Sequence, residues 1–326
     1  MLRPTSSFVR MGQNVPMIRL GSSDLTVHPL CLGGNVFGWT ADESSSFEVL
    51  DAYAAAGGNF IDTADAYSHW VPGNSGGESE TIIGKWMASR GNRDSMVIAT
   101  KMSHLPALSG LAPATIRQAL DDSLRRLQTD RIDLYYAHYD DLETPQADTL
   151  GAFDSAIKEG KVRHIGASNF TAERLQSALD TSDSLGLARY VVLQNHYNLV
   201  NRGEYEGALR DVVERGGLVS LPYYSLASGF LTGKYREGAV VEGARAKGAG
   251  RYLDERGLTI LAALDRISAA HGVSVTAVSL AWLAAQPTVA TPIASARVVE
   301  QLPDLLQMTD LQLTEAELDE LGRVSA

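Results

Sequence analysis

Short apolar runs alternate with helical segments along almost the whole chain, and this alternation constrains the fold more than any other feature. We predict eight strands, at residues 30–34, from 59 onward, 96–100, 131–137, 161–167, 190–194, 218–223 and 288–293. Such alternation indicates a parallel sheet, and eight strands favour a closed (β/α)8 TIM barrel over an open sheet. Helical periodicity predicts helices at 45–56, 79–89, 114–127, 148–159, 171–185, 204–214, 254–271, 274–285, 298–306 and 314–321.

Two short segments, 17–21 and 25–30, precede the barrel and alternate around Gly21-Ser22-Ser23-Asp24, a pattern that predicts an N-terminal β-hairpin. The last predicted helices lie beyond the eighth strand and are extra C-terminal elements. No low-complexity linker interrupts the pattern, so we predict a single domain over residues 17–326. Residues 1–16 lack the apolar run of a signal peptide and are expected to form a flexible leader of a cytoplasmic protein.

Composition excludes several classes of function. The 326 residues carry a formal net charge of −11, which argues against nucleic acid or an anionic membrane as a partner. No apolar stretch is long enough to span a bilayer. Cys31 is the single cysteine, so neither an intrachain disulfide nor a cysteine-based zinc cluster can form. The oligomeric state is left open.

Four chemically versatile side chains come at or just after the ends of three successive predicted strands. Asp62 and Tyr67 follow the strand that begins at residue 59, Lys101 follows 96–100, and His138 follows 131–137. Taken singly, each is more often a rim or core residue than a catalytic one. Because strand ends converge on one face of a parallel barrel, the coincidence of all four at matched positions predicts a reaction centre there.

The segment Gly58-Asn59-Phe60-Ile61-Asp62-Thr63-Ala64-Asp65-Ala66-Tyr67 closely resembles the signature of the aldo-keto reductase family. The resemblance runs from about Met17 to the C-terminus, and Lys101 and His138 fall in the strands where that family has them. It implies a catalytic tetrad of Asp62, Tyr67, Lys101 and His138, a hairpin that closes the barrel bottom, and NADPH/NADP+ as cofactor. No G-x-G-x-x-G follows the first strand, so any dinucleotide must bind in another way.

Polar residues at later strand ends suit a nicotinamide carboxamide. Ser168, Asn169 and Gln194 offer both donors and acceptors, although Ser168 or Asn169 could instead cap the next helix. By resemblance these three hold the carboxamide, and Tyr223, rather than Tyr224, stacks on the nicotinamide ring.

Two further segments suit the phosphates of a dinucleotide. Residues 226–234 resemble the family's loop over the pyrophosphate, and residues 236–250 are predicted to be a flexible lid. Arg297, near a predicted helix start, could pair with a 2′-phosphate and so favours NADPH over NADH; the alternative is a solvated arginine. The remaining cofactor contacts implied by the resemblance are Gly34, Asn35, Asp62, Ser225, Leu226, Gly229, Leu231, Gly233, Lys234, Ile293, Ser295 and Gln301.

The predicted reaction is hydride transfer to an aldehyde or ketone, with Tyr67 as general acid and no metal requirement. Lys101, held by Asp62, is expected to stabilise the phenolate and lower the pKa of Tyr67. Aromatic residues after the early strands could form a substrate wall, or could equally be rim packing: Phe37, Trp39, Trp70 and Tyr139.

Two other functions remain open at this stage. A barrel lyase could use Lys101 as a Schiff-base amine. Some members of the resembled family are auxiliary subunits that bind cofactor and turn over slowly, so a redox sensor with little turnover is a second alternative. The presence of all four tetrad residues argues against loss of chemistry.

Overall fold

The predicted strands form one parallel sheet that curls into a barrel in the computed structural model, which describes residues 15–236, 238 and 246–326. The sheet has eight strands: β3 (Cys31–Gly33), β4 (Phe60–Asp62), β5 (Val97–Met102), β6 (Ile132–Ala137), β7 (Val162–Ser168), β8 (Tyr190–Gln194), β9 (Val219–Ser220) and β10 (Ile293–Ala294). They pair in the order β10-β3-β4-β5-β6-β7-β8-β9. The predicted barrel with an N-terminal hairpin is therefore confirmed.

The hairpin closes one end of the barrel. Its strands, β1 (Ile18–Arg19) and β2 (Thr26–Val27), pair antiparallel. Leu20 and Leu25 beside them are buried in the same apolar cluster as Phe60 in the barrel wall. The amino-terminal ends of the strands are thereby sealed from water, which leaves the carboxyl ends open for chemistry.

A seam between β9 and β10 completes the barrel with few hydrogen bonds. The Ser220 N–H donates to the carbonyl of Thr288 at 2.8 Å, and the Ser220 carbonyl accepts from the N–H of Ala290 at 2.9 Å. Farther along, the Ile293 N–H donates to the carbonyl of Pro222 at 2.9 Å. These bonds bring the two edges of the sheet together.

Regular pairing at this seam is shorter than the sequence pattern predicts. The predicted strands 218–223 and 288–293 contain Pro222 and Pro292, and proline lacks the N–H that a strand ladder needs. Thr288 also has a φ of 68°, which takes it out of the extended conformation. The apolar pattern therefore identifies both strands but overestimates their regular length.

Eleven α-helices are present among the described residues. Five of them begin where a side chain accepts a hydrogen bond from the backbone of the first turn, at Asp42, Thr171, Asp254, Ser274 and Thr314. Such caps satisfy amide donors that have no partner inside the helix. The helices are α1 (Glu43–Ala55), α2 (Glu78–Arg90), α3 (Pro113–Leu127), α4 (Gln146–Lys158), α5 (Ala172–Leu185), α6 (Ala208–Arg215), α7 (Ala246–Gly250), α8 (Glu255–His271), α9 (Val275–Ala284), α10 (Leu302–Leu306) and α11 (Glu315–Val324).

Two helix predictions and one loop prediction differ from the structure. The helix predicted at 204–214 begins only at Ala208, because Gly207 precedes it with a φ of 97°. The helix predicted at 298–306 is a 3₁₀ turn followed by α10, which has a proline in its first turn. Part of the predicted lid 236–250 is helical, as α7; residues 237 and 239–245 of that lid lie outside the described residues.

Within the described chain, no individual helix has the length and apolar character needed to cross a membrane. The consecutive helices α8 and α9 together have this length and apolar character, but the pair is bent by 100°.

A buried polar cluster lies behind the barrel wall, between α2, α3 and the strands. Glu80 accepts from Thr100 Oγ1 at 2.5 Å and from Arg126 Nε at 2.6 Å. Asp65 is also buried, and neither of its carboxyl oxygens has a hydrogen-bond partner among the described residues. Burial, and then the charge of Glu80, raises the pKa of Asp65 from 3.8 to about 8, while Arg126 and Lys101 oppose this rise.

We predict that Asp65→Asn stabilises the protein in a pH-dependent way. Folding raises the pKa of Asp65, so protonated Asp65 favours the folded state relative to the ionised form. This contribution to stability is fully present below about pH 4 and is lost as the pH rises towards 8. The neutral amide of Asn avoids this loss. The free energy of unfolding of Asp65→Asn should therefore exceed that of the parent by on the order of 3–5 kcal/mol at the top of the pH range. Urea unfolding from pH 4 to 9 measures it. A constant difference between the two proteins across that range would contradict the assignment.

A close contact between α2 and α3 depends on Gly84 of α2. A Cβ built there would lie 2.2 Å from the carbonyl oxygen of Arg126 in α3. Gly151 in α4 has open space around it, with no atom within 4 Å of such a Cβ. The two helical glycines therefore separate the effect of packing from that of backbone entropy.

We predict opposite effects of alanine at these two positions. Gly151→Ala should stabilise the protein by about 0.5–1 kcal/mol, because glycine is a poor helix former. Gly84→Ala should destabilise it by about 1–3 kcal/mol, because overpacking against backbone outweighs that gain. Urea unfolding of both variants measures the difference. Stabilisation by both substitutions would mean that α2 and α3 do not approach so closely.

Candidate active site

The predicted site residues meet at the carboxyl ends of the strands. Asp62 ends β4, Lys101 lies near the end of β5, His138 follows β6, Ser168 ends β7 and Gln194 ends β8. A cleft of about 630 Å³ opens over these ends. The residues named from separate sequence segments are thus brought to one place by the parallel register of the barrel.

A buried ion pair forms the base of the site. Lys101 Nζ donates to Asp62 Oδ2 at 2.7 Å, to the Thr63 carbonyl at 2.7 Å and to the Tyr67 hydroxyl oxygen at 2.8 Å. The Tyr67 hydroxyl in turn donates to Asp62 Oδ2 at 3.2 Å. The side chain of Lys101 is fully buried and does not line the cleft. A substrate carbonyl cannot reach its amine in this arrangement, which argues against the Schiff-base alternative.

The charges of this group differ from the sequence-based expectation. Burial lowers the pKa of Lys101, and the adjacent Asp62 carboxylate opposes that shift. The pKa of Tyr67 lies well above its ordinary value, because burial and then the Asp62 carboxylate disfavour the phenolate. The expected lowering of the Tyr67 pKa by Lys101 is therefore wrong for this state. The phenol keeps its proton at neutral pH, which is the form a proton donor needs.

His138 is held neutral beside the phenol. Its ring centroid is 6.1 Å from that of Tyr67, in an edge-to-face arrangement. Burial, then the charge of Lys101 and then that of His104, hold the pKa of His138 well below its ordinary value. Its Nδ1 is buried without a partner among the described residues. A neutral imidazole can orient a ligand oxygen without bringing a second charge into the site.

The amides predicted to hold the cofactor are also bonded to residues of the predicted catalytic tetrad. Gln194 Nε2 donates to Asp62 Oδ1 at 2.8 Å. Asn169 Nδ2 donates to the His138 carbonyl at 2.9 Å and to Ser168 Oγ at 3.0 Å. Neither Ser168 nor Asn169 caps the following helix. That position belongs to Thr171, so the capping alternative is wrong.

Both candidate stacking tyrosines line the cleft, and they differ in how they are held. The Tyr223 hydroxyl donates to Asn169 Oδ1 at 2.7 Å, and its ring stacks on His196 at 5.5 Å with planes 13° apart. Tyr224 is 50% exposed and has a φ of 51°. Tyr223 is therefore the more firmly held of the two rings, and its stacking on a nicotinamide ring stays a prediction.

The far side of the cleft carries cations and small polar groups. Ser295 donates to Asn35 Oδ1 at 2.6 Å, and the Arg297 N–H donates to Gln301 Oε1 at 2.9 Å. The exposed Arg297 guanidinium has no ion-pair partner among the residues described here. Other predicted cofactor residues that line the cleft are Ser225, Leu226, Gly229, Lys234 and Ile293.

Some predicted contacts do not line the cleft. Phe37 is fully buried in the core, so its place in a substrate wall is wrong. Leu231 is likewise a core side chain. Gly34 faces Ser79 Oγ, 2.9 Å from where a Cβ would lie, and Gly233 faces Val275; these glycines serve close packing.

The predicted aromatic wall is partly assembled. Trp70 and Tyr139 line the cleft, and Trp39 packs edge-on against Trp70 with ring centroids 5.5 Å apart. The sequence analysis missed His69 and His104, which also line it. Each follows closely on a predicted site residue, Tyr67 or Lys101, so a search for titratable side chains near the strand ends would have found them.

Comparison with known proteins agrees with this geometry. The model of the Aldo/keto reductase family matches residues 29–326. Protein tas of Escherichia coli is 35% identical, over 94% of this chain and 96% of its own length. Aldo-keto reductase ausK of Aspergillus calidoustus is 35% identical, over 93% of this chain and 80% of its own length. Norsolorinic acid reductase stcV of Emericella nidulans is 31% identical, over 91% of this chain and 78% of its own length. The chain belongs to the aldo/keto reductase family, whose members are oxidoreductases.

Proposed function

We propose that this chain reduces an aldehyde or ketone to the alcohol, with NADPH as the hydride source and Tyr67 as the proton donor. One observation carries the proposal. At the wall of the cleft the Tyr67 hydroxyl lies 2.8 Å from Lys101 Nζ and 3.2 Å from Asp62 Oδ2. The names of similar proteins, which include an aldo-keto reductase and a norsolorinic acid reductase, support a reductive role.

Tyr67 would protonate the carbonyl oxygen as the alcohol forms. Its raised pKa keeps the proton in place until a stronger base develops beside it. The O–H bond of the phenol then breaks and the O–H bond of the alcohol forms. The resulting phenolate lies next to the ammonium of Lys101, which stabilises it and can return a proton.

His138 would position the carbonyl group. It lines the cleft beside Tyr67, and its neutral ring can share a hydrogen bond with the substrate oxygen. Because its lowered pKa keeps it uncharged, it does not compete with Tyr67 as the acid. Its backbone carbonyl is fixed by Asn169, so the ring is attached to a well-held segment.

The cleft suits an anionic dinucleotide with a carboxamide ring. The Ser168 hydroxyl accepts from Asn169 and has no acceptor for its own proton in the described part of the chain. Gln194 donates one amide hydrogen to Asp62 and also lines the cleft. Lys234 and Arg297 supply positive charge along the cleft. When bound, NADPH would supply the hydride, while these residues would fix its orientation.

We predict that Tyr67→Phe removes most of the reductase activity, because the proton donor is lost while the aromatic ring remains. Oxidation of NADPH with an aldehyde panel should slow by roughly 10²–10⁴-fold. Tyr135→Phe is the matched control, since the hydroxyl of Tyr135 is buried away from the cleft and has no partner among the described residues. Unchanged turnover by Tyr67→Phe, with NADPH binding intact, would contradict the assigned acid.

We predict that Arg297→Met reduces the preference for NADPH over NADH. A charge-assisted contact to a 2′-phosphate contributes about 1.5–3 kcal/mol, so the KM for NADPH should rise roughly tenfold or more while that for NADH changes little. Arg117→Met is the control, because Arg117 is exposed on α3 outside the cleft. Parallel increases in both KM values would place Arg297 outside the phosphate contact.

A further inference from the structure

Five aromatic side chains at the substrate end of the cleft form a closed circuit. Ring centroids are 6.1 Å apart for Tyr67 and His138, 5.5 Å for His138 and His104, and 6.3 Å for His104 and His69. They are 5.5 Å apart for His69 and Trp70, and 6.5 Å for Trp70 and Tyr67. Every contact is edge-to-face, and all five residues line the cleft. Tyr67 and His138, the proposed catalytic pair, form one side of this circuit. His69 and His104, which the proposed mechanism does not use, form the opposite side.

The hydrogen-bonding character of His69 is fixed by its surroundings. Its Nδ1 lies 2.7 Å from the carbonyl oxygen of Ala66, which can only accept, so Nδ1 carries the hydrogen. In the neutral ring Nε2 therefore has a lone pair and acts as an acceptor. No described residue donates to this Nε2. A ligand group that binds there must be a donor.

His104 can donate the hydrogen bond that His69 cannot. It is exposed at the rim, and neither of its ring nitrogens has a hydrogen-bond partner in the described chain. Partial burial, and then the neighbouring His69, lowers the pKa of His104, so the ring is neutral at physiological pH. A neutral imidazole has one donor and one acceptor. Together the two histidines can both accept from and donate to the same ligand group.

The surrounding surface selects for an uncharged aromatic ligand. Trp70, Tyr139 and Tyr224 are 44%, 42% and 50% exposed, and they are the exposed large aromatic side chains of the described chain. All three line this cleft, and exposed apolar surface gathered at one opening marks a binding site. The charged lining residues other than Asp62 lie in the segments that follow β9 and β10: Lys234, Arg297 and Asp304.

We propose that the substrate is an uncharged aromatic aldehyde or ketone with a hydroxyl group on the side away from the reacting carbonyl, and that His69 and His104 bind this hydroxyl. The inference rests on the proposed function and specifies its substrate class. A hydroxyl both donates and accepts, so it satisfies His69 and His104 together. An ether oxygen only accepts and leaves Nε2 of His69 without a donor. A carboxylate is also only an acceptor and would need that nitrogen to be protonated.

The test compares three matched substrates near pH 7, where a phenol keeps its proton and an imidazole lone pair is available as an acceptor. These are 6-hydroxy-2-naphthaldehyde, 6-methoxy-2-naphthaldehyde and 2-naphthaldehyde, each assayed for kcat/KM with NADPH. We expect the hydroxyl compound to be favoured over the other two by roughly five- to tenfold, as one or two neutral hydrogen bonds would give. His69→Phe and His104→Phe should each reduce this ratio towards one. His271→Gln, a histidine bonded to Glu317 away from the cleft, should leave it unchanged.

The outcomes separate this inference from the proposed function. Turnover of all three aldehydes with equal kcat/KM would overturn the hydroxyl subsite while leaving the reductase assignment intact. A preference that persists in both phenylalanine variants would also overturn it. If no aldehyde is reduced, calorimetry of the full chain with NADPH compares 6-hydroxy-2-naphthalenemethanol with 2-naphthalenemethanol. Tighter binding of the hydroxyl compound, lost in His69→Phe, would support the subsite; equal affinities would refute it.

Discussion

The buried ion pair between Lys101 and Asp62 is the interaction on which the site depends. Two charges removed from water are costly unless each also has further hydrogen bonds, and here both do. Lys101 bonds to the carbonyl of Thr63, and Asp62 accepts from Gln194. The pair thereby joins β4, β5 and β8 across the inside of the barrel, and it fixes the position and protonation of Tyr67.

The same hydrogen bonds connect the two halves of the proposed reaction. Gln194 and Asn169, the amides expected to hold the cofactor ring, already bond to Asp62 and to the backbone of His138. Asn169 adopts a φ of 58°, a left-handed conformation that asparagine tolerates better than most residues. A change in the position of the proposed hydride source would therefore reach both Tyr67, the proposed acid, and His138, the residue proposed to orient the carbonyl.

Much of this arrangement follows from the sequence, because strand ends of a parallel barrel converge and the strand pattern is readable. Asp62, Tyr67, Lys101 and His138 were located in this way. The side-chain direction of Phe37 was not, since a loop residue can turn into the core or out to the cleft without any periodic signal. The pKa of Tyr67 depends on a distance to Asp62 that no pattern encodes. The aromatic circuit through His69 and His104 likewise joins different segments through space.

The short seam between β9 and β10 has a mechanical consequence. Few ladder bonds cross this seam, so it offers little resistance to local opening, and segments that line the cleft leave the sheet on either side of it. A molecule that touches both Ser225 and Ser295 would clamp the two edges together. Because such a molecule binds only the folded barrel, its binding would raise the free energy of unfolding. The ligand would then stabilise the fold as well as take part in the reaction.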